Sequence, residues 1–467
     1  MTARAHPEGS TTRVPCASCK QPILEGARKC KHCKAWQPER AKAPRAAILV
    51  AAAVTSALSV IVTSQKSSVG VAPPLTPLAG DPTTEPSPGS VGPEPVPTAE
   101  PGATPPPALD REWKTREISI GDAHPLDLTF SRDGSSLYVS ADDASLREYK
   151  VDSGEAVHKA SVPAKGDRIV LLFGRYLAVL RPDPRVARVP VLDTTRWDHD
   201  PVLLEVGPGP GDVIEMPDGT VVVTTTNAHR VSRFSLPSGK LASDIRLAQS
   251  TGQIFLVRSG GRPNLAALGA LTHAGRPAGA WLDLFDPGEA PFGATRRSVA
   301  VGRDPRAGSV ASDGGRIFFP DFASNEALFV DLRNQTAIRR TDVGQGPIAG
   351  FVMGGDKYGL TLNAGSGNAT VVDLTDEHAP SFKTTTLSLA GEPRDGVLSP
   401  DRTTLFVALG GNEEPPKGQG VAIVAGDPPD VVATLPTGSG AISVAVSPNG
   451  ARAAVANYHS KTITILE

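Results

Sequence analysis

The sequence predicts an all-β protein: a β-propeller of eight four-stranded blades, with seven as the alternative count, tethered to a small zinc-binding head. Three observations predict it. The chain repeats every 42–47 residues after Arg111, it carries a nineteen-residue run without charge at 46–64, and two C-x-x-C pairs lie in its first 45 residues. The domains expected are therefore a head at 1–45, a transmembrane helix at 46–64, a proline-rich disordered stalk at 65–110 and the propeller at 111–467.

All four cysteines fall in the head, as Cys16-Ala-Ser-Cys19 and Cys30-Lys-His-Cys33. Two tight knuckles bring four thiolates to one ion, which is the donor set of a closed tetrahedral zinc site. The head is too short and polar to build an apolar core, so metal binding would supply its folding energy. Two disulfides are the competing use of four thiols. His32 sits between ligands and is read as pointing to solvent. A fully thiolate-bound zinc has no open position, so this zinc is expected to be structural rather than catalytic. The run "ARKCKHCKAW" resembles the zinc-ribbon heads at the N-terminus of many bacterial membrane proteins, although Lys20 and Lys34 stand where that pattern often has glycine.

Charge is divided unevenly along the chain. Through Arg45 there are ten Lys/Arg against three Glu, a balance of +7, so the rest carries −9 to give the overall −2. The 46–64 run at 1.5 Å per residue nearly spans a hydrocarbon core of about 30 Å. Lys29, Lys31, Lys34, Arg40, Lys42 and Arg45 flank it on one side and only Lys66 lies close on the other. The positive-inside rule then puts the N-terminus in the cytoplasm and the propeller on the other side of the membrane. The resemblance of the head to those of bacterial proteins implies a bacterial inner membrane, with the propeller in the periplasm or outside the cell. The basic head is better explained by this rule than by nucleic-acid binding. The cysteine distribution agrees, because reduced thiolates persist in the cytosol and the outer portion has none to oxidise. Ala53 and Ala57, four residues apart, offer a small-residue face for pairing two helices into a dimer.

The stalk has thirteen prolines between Pro73 and Pro107 and few large apolar residues. Such a composition stays extended, at about 3 Å per residue, and holds the distal domain away from the bilayer.

Each distal repeat opens on a Gly/Pro/Asp corner, runs into a strand, turns, and continues through further strands. The clearest unit is "AHPLDLTFSRDGSSLYVSADDASLREYKVDSG", and openings fall near 125, 167, 210, 252, 305, 347, 393 and 440. A period of this size with short strands is the pattern of propeller blades. The step of 53 between the fourth and fifth openings predicts an insertion. "WKTREISIG", from Trp113 to Gly121, has no hairpin partner nearby and is expected to pair with the last blade, closing the ring and removing two sheet edges. "SRDGSSLYVSA", "SPDRTTLFVAL" and "SPNGARAAVANYHSKTITIL" resemble the YVTN and lactonase-like propeller repeats. That resemblance implies the fold and leaves function open, since the family holds surface proteins, binding modules and some enzymes.

Chemistry is harder to locate. Asp127, Asp167, Asp212, Arg303, Arg394 and Asp395 stand near the starts of the inner strands and are the candidate ligand residues of the channel mouth. The competing reading is that they cap corners in water. The histidines are dispersed, no G-x-S-x-G elbow is present, and no catalytic residue is assigned. "GGNEEPPKGQG", from Gly410 to Gly420, reads as a long loop within the seventh unit. The function expected is a binding or scaffold module for an extracytoplasmic protein or polysaccharide, with an enzyme less favoured. The alternative is a metal-dependent hydrolase of the lactonase type, with a divalent ion in the channel, as that resemblance implies.

Overall fold

The structure is a computed structural model and describes residues 13–15, 22–24, 111–273, 276–333, 337–376, 381–410 and 419–467. The four cysteines, the 46–64 run, the stalk and most of the loop after Gly410 lie outside the described residues. In the N-terminal unit, Arg13–Pro15 and Pro22–Leu24 pair antiparallel, with Val14 opposite Ile23. Among the described residues no helix is long and apolar enough to cross a membrane.

From Thr115 onward the chain forms eight four-stranded antiparallel sheets. Their innermost strands are Pro125–Phe130, Arg168–Leu172, Pro210–Glu215, Ser250–Ser259, Ser309–Val310, Pro347–Met353, Pro393–Leu398 and Ala441–Val446, which define blades 1 to 8. The count is eight, with a full four-stranded sheet at both the 167 and the 252 openings. Proline opens four of these strands, a position where a missing N–H costs no ladder hydrogen bond. The hairpins that follow use Asp133-Gly134, Asp218-Gly219, Asp313-Gly314 and Asn449-Gly450, where each glycine takes the positive φ that the turn demands.

Eight apolar clusters hold the ring, each straddling two neighbouring blades. Strand alternation makes this possible. Phe318 faces the blade 5–6 cluster while Phe319, the next residue, faces the blade 4–5 cluster. The chain closes as expected, with Thr115–Ser119 pairing onto Thr462–Leu466 from Thr115↔Leu466 to Ser119↔Thr462. Ile118 and Ile120 join the cluster between blades 8 and 1, and Trp113 packs edge-on against Phe406 of blade 7.

The 53-residue step has two sources. Blade 4 has unusually long strands, Ser250–Ser259, Arg262–His273 and Arg276–Phe285, and a long connection then leads to Arg297–Gly302. Its second and third strands stay paired through His273↔Arg276, whereas the first strand begins opposite Ala270. The hairpin therefore projects about three residues, or roughly 10 Å, beyond the start of the inner strand.

Candidate functional site

A register shift interrupts the inner strand near its start in blades 1, 3, 4, 6, 7 and 8, as between Pro125 and Asp127 or between Thr251 and Gln253. A β-bulge re-aims the side chains around it. Here it accompanies a set of polar bridges between blades. Asp127 Oδ2 accepts the Ile169 N–H of blade 2 (2.8 Å), and its Oδ1 accepts the Ser443 hydroxyl of blade 8 (2.6 Å). Asp212 Oδ2 accepts the Ile254 N–H of blade 4 (3.2 Å), and its Oδ1 accepts from the Arg168 guanidinium of blade 2 (2.7 Å). Gln253 Oε1 accepts the Gly308 N–H, Ser309 Oγ accepts the Val352 N–H, and Asp395 Oδ2 accepts the Val444 N–H.

Three of the six candidate residues are thus structural. Asp127, Asp212 and Asp395 are 1%, 5% and 4% exposed, and their oxygens satisfy backbone donors of the adjoining blade. Arg394 is also buried; its Nε donates to the Gly410 carbonyl (2.5 Å), and burial lowers its pKa against the opposing pull of Glu392. Arg303 is exposed, and its backbone N–H donates to Asp321 (2.6 Å).

Asp167 differs. It lines a cavity of about 190 Å³ at the end of the ring where the inner strands begin. Blade 2 supplies Asp167 and Arg168, blade 3 Thr226, blade 4 Ser250 and Gln253, and the approach to blade 5 Asp304 and Arg306. These groups converge because neighbouring strands are antiparallel, so the start of each inner strand lies beside the end of its second strand, as Pro210 lies opposite Thr225. The floor is cut low by glycine. A β-carbon on Gly269 would collide with the Ser250 carbonyl oxygen, whereas one on Gly252 would meet nothing within 4 Å and would enter the open space.

The cavity's two carboxylates are part-buried. Burial raises the Asp167 pKa, with Asp183 adding to the shift and Arg181, 3.9 Å away, opposing it. Burial likewise raises the Asp304 pKa against the attraction of Arg306 at 2.7 Å. Phe322 stands next to this group. Its ring is under the Arg306 guanidinium, 4.6 Å from the centroid, and the residue is 41% exposed.

The raised pKa has a definite sign. Between the unfolded value of 3.8 and the higher folded value, the native state holds more protons, so stability falls as pH rises through that window and the deficit persists at neutral pH. Asp167→Asn is expected to raise the melting temperature at pH 7, with the gain shrinking as pH approaches 3.8. An unchanged or lower melting temperature at pH 7 would show that the carboxylate is not held at a cost.

Asp304, Arg306, Gln253 and Phe322 were not among the residues expected from sequence. Asp304 and Arg306 flank the proline of the fifth repeat opening, in the charged run "RDPR". Among the described residues, no group of three or more His, Cys, Asp or Glu side chains is arranged to hold a metal ion.

Fold and cavity together define the class as an eight-bladed β-propeller with a polar cavity at one mouth. No protein-family model matches the chain, and no curated protein matches it either. Among solved structures, Kuenenia stuttgartiensis hydrazine synthase is similar at 18% identity and a TM-score of 0.49, over 74% of this chain and 96% of that one. The β-propeller domain of Cps50 (Swd1) from Myceliophteria thermophila is similar at 10% identity and a TM-score of 0.45, over 75% and 99%. Neither likeness bears on function.

Proposed function

We propose that this chain is a membrane-anchored binding module whose propeller captures an envelope ligand at the mouth cavity. The observation that carries this is the cavity itself, where polar and charged side chains from four blades converge on a space of about 190 Å³. Convergent polar groups in a concave site, with carboxylate pKa values raised by burial, are a pattern of binding sites.

The anchoring reading rests on the uncharged 46–64 run and its asymmetric flanks. The zinc reading gains support from the hairpin of Arg13–Pro15 and Pro22–Leu24, because Cys16 and Cys19 fall between those strands in sequence, where a metal knuckle belongs. In this arrangement the ribbon is a structural cytoplasmic head and the stalk sets the standoff of the propeller.

The test is crosslinking in intact cells with a photoreactive residue at Thr226, on the cavity wall, and another at Lys240, on the outermost strand of blade 3. A specific adduct from position 226 and none from position 240 is expected. The purified full-length chain should also hold one zinc by elemental analysis, lost in Cys16→Ser or Cys30→Ser. Equal adducts from both positions would count against a mouth site, and zinc retention in both cysteine variants would remove the ribbon.

A further inference from the structure

We propose that the mouth cavity binds one pyranose unit of a saccharide, its adjacent hydroxyls divided between the Asp167 and Asp304 carboxylates and the Arg168 and Arg306 guanidiniums. This rests on the reading of the propeller as a binding module and names the ligand class.

The lining decides against charged ligands. It brings two carboxylates and two guanidiniums, so its formal charge is balanced, with Thr226 and Ser250 hydroxyls and the Gln253 amide between them. An ammonium entering the cavity meets the two arginines, and a phosphate meets the two aspartates. A neutral group that donates and accepts at several neighbouring points suits every wall. Vicinal hydroxyls do this. One carboxylate takes two adjacent O–H donors, and the guanidiniums, already engaged with Asp212 and Asp304, set positive charge and N–H groups at the cavity wall.

Size and surface chemistry agree. A cavity of roughly 150 Å³ holds a benzene ring, so about 190 Å³ holds a six-membered ring with substituents. Pro182, Ala270 and Pro305 are partly exposed apolar members of the lining, against which the C–H face of a sugar ring can rest. At the rim, the exposed Phe322 ring offers a stacking surface for a neighbouring unit. A free monosaccharide and a unit within a polysaccharide share this chemistry, and the Phe322 contact separates them.

The experiment uses the full-length chain in nanodiscs, which avoid sugar-headed detergents. Saturation-transfer NMR and calorimetry are run with glucose, N-acetylglucosamine and linear oligosaccharides of each, and with inorganic phosphate and 1,5-diaminopentane as charged probes. At least one saccharide should bind. Gly252→Phe, which fills the cavity from a position with free space, and Asp167→Asn, which is expected to stabilise the fold at pH 7, should each weaken it about tenfold or more. Phe322→Ala should weaken an oligosaccharide several-fold and leave a monosaccharide unchanged if the natural ligand is a polymer; equal effects on both point to a free sugar. The proposal falls if no saccharide in the panel binds, if Gly252→Phe leaves binding intact, or if a charged probe binds at the cavity in preference to every sugar. Should the Thr226 crosslink persist while the saccharides fail, the binding-module reading survives and the sugar assignment does not. Loss of both removes the reading itself.

Discussion

Asp212→Ala is expected to destabilise the propeller by about 3–5 kcal/mol, the range for removing one partner of a buried ion pair. The substitution leaves the Arg168 guanidinium buried without its 2.7 Å carboxylate partner, and it takes the acceptor from the Ile254 N–H of the next blade. The loss thus spreads over three blades from one side chain. Asp212→Asn retains an acceptor for the N–H while removing the charge, so its loss should be intermediate. Urea unfolding followed by far-ultraviolet circular dichroism checks both. A loss below about 1 kcal/mol for the alanine variant would show that the junction is held by its apolar cluster alone.

Deleting residues 113–121 should have the larger effect on cooperativity. It uncovers the edge of Thr462–Leu466 and removes Ile118, Ile120 and Trp113 from two interblade clusters. Ile118→Ala alone should cost about 2–5 kcal/mol as a buried large-to-small change. The full deletion should replace one sharp transition with a broad one and promote association through the exposed edge, measured by calorimetry and light scattering. A synthetic peptide covering 113–121, added in excess, should restore the sharp transition. A deletion variant that stays monomeric and unfolds in one step would mean that the ring closes without this strand.

The repeat architecture was legible because each blade announces itself locally. The expected openings at 125, 210, 347 and 393 coincide with the first residues of inner strands, and those at 167 and 440 fall one residue early. The fourth and fifth are offset because the long strands of blade 4 begin before the corner that was recognised, and because the fifth inner strand is reduced to Ser309–Val310 after a single bridge at Pro305.

The site was legible only in part. Asp127, Asp212 and Asp395 each stand two residues after a proline, and Asp167 also lies near the start of an inner strand. Nothing in that local pattern tells a carboxylate that satisfies a neighbour's backbone from one that faces open space. The difference depends on which backbone N–H arrives from a strand some 42–49 residues away, as Ile169 does for Asp127 and Val444 for Asp395. The cavity likewise draws on four blades, so its members share no spacing. Gly252 and Gly269 read as ordinary strand glycines until their neighbours in space are known.

The pairing of Thr115–Ser119 with Thr462–Leu466 has a consequence for biosynthesis. A nascent chain elongating at about 5–20 residues per second would carry the first strand for on the order of half a minute before its mate emerges. Throughout that interval the strand is an open template for any other unpaired segment nearby. Its sequence, Thr115-Arg116-Glu117-Ile118-Ser119, places two charges beside its one large apolar residue. Such gatekeeping charges discourage premature partners, so the segment suits a strand that must wait for the rest of the ring.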